Sequence, residues 1–184
     1  MEPRKESLDH GYAPPAPLPH APHALLAPAP PSVRSARRED AAALAELSQP
    51  FVRSGALRER PLSLYAGRAA DFLVAQGPGG RLDGCVGLRV HPAGPGEGRG
   101  PVGVLYNFCV AGQKQGHGVG AGLLRAVLAA ARAQSLGALF TATTGGGGLF
   151  LRYGFTPTTA RPAPQSWAGS LDPRRGARIL ARVL

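Results

Sequence analysis

The chain has 184 residues but only two cysteines, one methionine and one tryptophan. Two cysteines cannot build a disulfide framework. Cys85 and Cys109 both fall inside apolar, strand-like runs and read as reduced core thiols. No apolar run approaches the roughly 18 residues of a membrane span. No export signal is expected either: Glu2, Glu6 and Asp9 crowd the start, and prolines break the apolar stretches behind them. The expected compartment is the cytoplasm. Aromatic residues are 6% of the chain and are not interleaved with the basic ones. No nucleic-acid motif occurs, so nucleic acid, the first partner a basic chain suggests, is not expected.

Acidic residues are scarce as well, 11 against 21 Lys and Arg, for a net charge of +10. Residues 1–31 hold Arg4 and Lys5 against Glu2, Glu6 and Asp9, so residues 32–184 carry 19 basic and 8 acidic residues, net +11. Lys114 is the single lysine there; the rest of the positive charge is arginine. Arginine offers a planar fork to carboxylates and phosphates, which suits small anionic ligands. Nine of the 19 prolines lie in residues 1–31, among many alanines and without an amphipathic period. Such a segment has little to bury and reads as a disordered or polyproline-like tail ahead of one domain, residues 32–184.

What is present centres on Val102 to Leu124. An apolar, β-prone run, Val102 to Val110, feeds a short polar segment. Gln115-Gly116-His117-Gly118-Val119-Gly120 follows, then an Ala-rich amphipathic helix predicted over 118–134. A strand, a glycine turn and a helix N-terminus form an anion site, because the first-turn N–H groups have no intrahelical partner and the dipole adds positive charge. A branched side chain at Gly118 or Gly120 is expected to fill the space the anion needs. Gly116-x-Gly118-x-x-Ala121 also fits the dinucleotide fingerprint, which requires an acid at the end of the next strand, roughly 20 residues on. That strand candidate, Ala138 to Thr143, ends in threonines and glycines. The motif also sits too late for a second βαβ unit to follow.

The rest of the chain falls into order around this loop. Val33–Ala36 is a short strand, and Glu39 and Asp40 open a helix with Ala43, Leu44 and Leu47 on one face. Pro50 ends that helix or starts a second one running to Gly55. A short helix covers Leu62 to Ala69. Phe72–Ala75 and Leu82–Val90 form a hairpin about the Gly77–Gly80 turn, and 92–101 is a glycine-rich flexible loop. After the central strand and helix come strand 138–143, a Gly145–Gly148 run, a short helix Leu149–Tyr153, a strand from Gly154-Phe155, and a closing strand, Ala177–Val183.

Gln115, Gly118 and Gly120 match Gln/Arg-x-x-Gly-x-Gly/Ala, and Leu149-Phe-Leu-Arg-Tyr-Gly-Phe155 is similar to a Phe-Tyr-x-x-x-Gly-Phe ending. With the order β-α-α-β-β-β-α-β-α-β-β, these resemble the GNAT superfamily of N-acetyltransferases. The resemblance implies an α/β (α+β) fold with a mixed central sheet of about six to seven strands flanked by about four helices. It implies acetyl-CoA as co-substrate, held by Phe108, Val110, Gln115, Gly116, His117, Gly118, Val119, Gly120 and Ala121, and no metal. Within that superfamily, residues 33–184 resemble the acetyltransferase domain of N-acetylglutamate synthase, in a short form without the kinase-like domain. Phe51-Val-Arg-Ser-Gly-Ala-Leu-Arg-Glu-Arg60, Gly84-Cys-Val-Gly-Leu-Arg89, Thr143-Thr144 with Leu149-Phe150, and Arg175-Gly-Ala-Arg-Ile-Leu180 carry this resemblance.

The synthase resemblance implies a glutamate-like acceptor in amino-acid or arginine biosynthesis, with Arg58, Arg60, Arg89, Arg175 and the position of Ala177 around its carboxylates. It also admits a homodimer. The sequence departs from the pattern at Ala177, where the motif has Ser, and at Val104, where such enzymes often carry an acid. Tyr106, Asn107 and Cys109 are the polar groups left on the central strand, and the Val110 N–H is the expected oxyanion donor. Cys109 as a nucleophile is disfavoured by burial. His91, after the hairpin, is the alternative base. His117 reads as a loop residue. Two other classes stay open: an N-acetyltransferase of a specialised metabolite or protein amine, and a non-catalytic acyl-CoA-binding module.

Overall fold

A computed structural model describes residues 32–93 and 100–184. The segment read as a tail, residues 1–31, and most of the glycine-rich loop, 94–99, lie outside them. Among the described residues seven strands form one sheet: β1 (Ser32–Ser35), β2 (Phe72–Gln76), β3 (Leu82–His91), β4 (Val102–Val110), β5 (Ala138–Thr143), β6 (Thr156–Pro157) and β7 (Arg178–Val183). Their order is β1-β2-β3-β4-β5-β7-β6, which puts β4 in the middle. The pair β4–β5 is parallel and its neighbours are antiparallel. Only that pair needs a long crossover, and the amphipathic α3 (Val119–Ala133) supplies it.

Side-chain alternation along β4 splits the core into two layers. Leu105 joins Leu123, Leu124, Val127 and Leu139 beneath α3. Val104 points the other way, to Phe140 and Ala163. On that second face α1 (Ala41–Arg53) and α2 (Leu62–Gly67) cover Phe72, Val74, Cys85 and Cys109. Arg34 fastens β1 to the start of α1 through two bonds to the Asp40 carboxylate, at 2.7 and 2.9 Å. The same carboxylate accepts from the Arg37 N–H at 2.7 Å.

One expectation changes. Pro50 lies inside α1 rather than at its end. It stands one turn from the terminus, where its missing N–H removes one intrahelical bond and the buried Leu44 and Ser48 keep the helix seated. Gly55, at φ 75°, closes the segment just beyond. The described residues also hold five α-helices, against the expected about four. α4 (Gly148–Arg152) was expected; α5 (Gln165–Ala168), between β6 and β7, was not. No helix among the described residues is long and apolar enough to cross a membrane.

Candidate active site

The central strand bends where chemistry is expected. Cys85 pairs with Cys109 and Gly87 with Tyr106, so one residue of β3 faces two of β4, Asn107 and Phe108. This is a β-bulge, and Asn107 takes the left-handed conformation at φ 51°. Asparagine tolerates that region better than most residues. Pairing of β4 with β5 stops at Leu105–Thr141, so beyond the bulge β4 has no partner on that side. The Ala111 N–H donates to Asp83 O on β3 at 2.9 Å. Alternation therefore turns the Val110 N–H toward the open edge.

The glycine loop sits at the end of this edge. Gln115 Nε2 donates to Val110 O at 3.2 Å and ties the loop to β4. Gly116 and Gly118 take φ 78° and 82°, and a Cβ at either would meet no atom within 4 Å. Gly118 caps α3, and Val119, Gly120 and Ala121 form its first turn, where N–H groups have no intrahelical acceptor. His117 Nδ1 lies 2.8 Å from Gln115 O within the loop. This cradle of free N–H groups in open space fits a pyrophosphate. Gly120 departs from the expectation. A Cβ there would lie 3.0 Å from Leu149 Cδ2 and 3.6 Å from Phe108 Cζ, so it allows α4 to approach rather than clearing anion space.

On the other side of the bulge a cleft of about 690 Å³ opens. Arg58, Arg60, Arg89, Arg175 and Ala177 all line it, although they come from three distant parts of the chain. Tyr106, Asn107, Val104 and His91 line it as well. The arginines are not equivalent. Arg58 Nη2 donates to Ser170 O and Arg175 Nη2 to Gly55 O, both at 2.6 Å, which joins the 55–60 wall to the 170–175 wall. Arg60 and Arg89 keep a buried Nε without a partner. Burial lowers the pKa of Arg60, and the neighbouring Arg89 charge adds to this.

The polar groups of the central strand are mostly spent. Tyr106 donates its hydroxyl to Asp71 Oδ2 at 3.0 Å. The buried Asn107 amide donates to Ser48 Oγ at 2.9 Å and accepts from Tyr65. Cys109 is buried with its Sγ 3.4 Å from Cys85 Sγ, and both are free thiols. The hydrogen-bonding contact with Cys109, and then burial, push the Cys85 thiol up. Neither thiol faces the cleft, so a thiolate nucleophile has no support. His91 keeps a buried, unpartnered Nε2. Burial first and Arg89 second push it below the usual imidazole range, so it is neutral at pH 7.

The Acetyltransferase (GNAT) family profile matches residues 41–155, more than half of the chain. The chain belongs to the GNAT acetyltransferase family. An amino-acid acetyltransferase of Ralstonia nicotianae is 32% identical over 152 residues, covering 83% of this chain and 32% of that protein. The N-acetylglutamate synthase of Neisseria gonorrhoeae, solved with coenzyme A and N-acetyl-glutamate, superposes with a TM-score of 0.74 at 26% identity. That match covers 83% of this chain and 35% of the synthase. Rv2747 of Mycobacterium tuberculosis, solved with CoA and NLQ, gives 0.68 at 25% identity, covering 84% of this chain and 99% of that one. The chain thus spans about a third of the length of the Ralstonia and Neisseria relatives.

Within this GNAT frame, one cleft residue and two residues that support Tyr106 escaped the sequence reading. Asp71 is an acid just before a strand, a place with no distinctive signal. Gly87 stands opposite Tyr106, a contact visible only once the register is known. Trp167 sits on the unexpected α5, 6.3 Å from Phe140, and lines the cleft. It is the single tryptophan, and Pro164 before it was the available clue.

Proposed function

We propose that the chain is an acetyl-CoA-dependent N-acetyltransferase acting on the α-amine of glutamate or a glutamate-like amino acid, in amino-acid or arginine biosynthesis. Acetyl-CoA, when bound, supplies an acyl thioester open to direct attack by the acceptor amine. The loop from Gln115 to Ala121 holds the pyrophosphate through backbone N–H groups, and Phe108 flanks it from β4. The Val110 N–H, turned to the open edge, is placed to donate to the carbonyl oxygen where negative charge develops. Arg58, Arg60, Arg89 and Arg175 receive the acceptor's carboxylates. His91, neutral and unpartnered at the cleft wall, takes the amine proton through water.

The observation that carries this reading is the cleft itself: four arginines gathered beside the splayed strand, two of them with unspent buried donors. Coenzyme A release from acetyl-CoA, measured across the amino acids, tests it. Turnover with glutamate or a close analogue supports the reading. Acetyl-CoA binding without turnover on any amine marks a binding module instead. Turnover only on peptide amines marks a protein acetyltransferase.

A further inference from the structure

The floor of the arginine cleft is organised around one ring. Tyr106 comes from β4, and its ring lies over β3 at its register partner, Gly87. A Cβ built at Gly87 would stand 2.5 Å from Tyr106 Cζ, so any side chain there displaces the ring. Phe72 closes one side, edge-on, with centroids 5.2 Å apart. The hydroxyl is held by Asp71 at 3.0 Å. Burial, then the Asp71 charge, push the phenol up, so it remains a donor throughout the neutral range.

Two cations meet this ring. Cζ of Arg60 and Cζ of Arg89 each lie 5.1 Å from its centre, within cation–π range. Their charge is poorly matched by acid. Asp71 Oδ2 lies 3.9 Å from Arg89 Nε and 3.8 Å from Arg68 Nη1, and it also accepts from Tyr106. Among the described residues Arg60 pairs with no carboxylate. The Nε groups of Arg60 and Arg89 are buried without acceptors. Guanidinium groups only donate, so the floor offers donors and charge. A carboxylate, which only accepts, satisfies such a floor. An amide end brings an NH₂ against it.

We propose that Tyr106, seated on Gly87 and anchored by Asp71, is a positioning residue that holds the guanidiniums of Arg60 and Arg89 at a fixed spacing and so favours acceptors ending in a carboxylate over those ending in an amide. The inference rests on the amino-acid acetyltransferase reading of the same cleft. It assigns Tyr106 no contact with the reacting atoms; it acts through the two arginines.

The test uses Tyr106→Leu, which removes the ring, and Tyr106→Phe, which keeps the ring and frees Asp71. Steady-state kinetics with glutamate and glutamine are run beside acetyl-CoA calorimetry. Tyr106→Leu should raise KM for glutamate roughly tenfold or more and change kcat less than about threefold. The glutamate-to-glutamine ratio of kcat/KM should collapse toward one, and acetyl-CoA affinity should stay within about twofold of wild type. Tyr106→Phe should move the same parameters in the same direction by less. It nearly keeps the volume of the side chain, so it remains informative if Tyr106→Leu does not fold. A ratio unmoved in the folded variants overturns the inference, as does an equal loss of glutamate and acetyl-CoA affinity. Wild type that turns over no carboxylate-bearing amine overturns the function itself. Wild-type glutamate turnover with an unmoved ratio in the variants overturns the positioning role alone.

Discussion

Gly118 and Gly120 stand two residues apart, and the structure gives them different reasons to be glycine. Gly118 has φ 82°, and a Cβ there meets nothing within 4 Å. Gly120 lies inside α3, and its Cβ would stand 3.0 Å from Leu149 Cδ2. Alanine at Gly118 therefore meets backbone strain of about 1–2 kcal/mol rather than a clash. The turn relieves that strain by reshaping, and reshaping re-aims the N–H groups of Val119, Gly120 and Ala121. Each charge-assisted bond to a phosphate contributes about 1.5–3 kcal/mol. Losing the aim of one lowers acetyl-CoA affinity about ten- to a hundredfold, at about 1.4 kcal/mol per decade. Gly118→Val should lose more, since a branched side chain adds bulk beside the anion.

At Gly120 the balance differs. Alanine gains up to about 1 kcal/mol of helix propensity. The atom it meets is the end of a flexible leucine, which shifts by a few tenths of an ångström at little cost. Gly120→Ala should keep acetyl-CoA affinity within about threefold and leave Tm nearly unchanged. Gly120→Val overpacks the contact with Leu149 and Phe108, costing about 1–3 kcal/mol of stability. Calorimetry with acetyl-CoA and thermal melts read the two quantities separately. Wild-type affinity in Gly118→Val would show that this loop does not hold the pyrophosphate. Loss of affinity in Gly120→Ala with none in Gly118→Ala would invert the two assignments.

Arg60→Ala should lower kcat/KM for glutamate about ten- to a hundredfold and spare acetyl-CoA affinity, from charge-assisted bonds of about 1.5–3 kcal/mol; wild-type kinetics in Arg60→Ala and Arg175→Ala together would sink the glutamate reading. The bond to Arg34 holds the Asp40 carboxyl below its ordinary 3.8, against an opposing effect of burial. Its stabilisation is complete above that value and is lost as pH falls through the lower folded pKa. The Tm gap between wild type and Asp40→Asn should therefore be constant near neutrality and close in strong acid; a gap that persists there refutes the pairing. His91 works in a higher window. Its folded pKa lies below 6.5, so protonation favours the unfolded chain and stability falls as pH drops below that value. His91→Gln should flatten that part of the stability curve, and an unchanged curve would refute its neutral burial.

Some elements were legible because local and global signals agree. Ala138–Thr143 is an apolar run bounded by glycines, and the structure gives the strand those limits. The helix after Gly118 follows from its apolar spacing and from the glycine that caps it. Other features have no local signal. A four-residue helix, Gln165–Ala168, is too short to show a period, so α5 and the placement of Trp167 were missed. Pro50 obeyed the packing of α1 rather than the helix-stop rule. The bonds from Arg58 to Ser170 and from Arg175 to Gly55 cross 112 and 120 residues, and only the folded chain brings them together.

Asn107 shows most clearly why the site was harder to read than the fold. A polar residue in an apolar central strand invites a chemical role. The structure spends its side chain on Ser48 and Tyr65, beneath α1 and α2, and uses its backbone to form the bulge. Asparagine suits both tasks, because its amide bonds the helical layer and its backbone tolerates φ 51°. The bulge changes the alternation between Tyr106, which faces the arginine cleft, and Val110, whose N–H faces the open edge beside the glycine loop. One irregular residue thus lets a single strand face both the arginine cleft and the glycine loop. Replacing it with a β-branched residue would disfavour the left-handed conformation and, at once, leave the Tyr65 hydroxyl without its acceptor and Ser48 Oγ without its amide donor. The polar side chain is structural, and the proposed oxyanion role rests on a neighbouring backbone N–H, which no residue identity reveals.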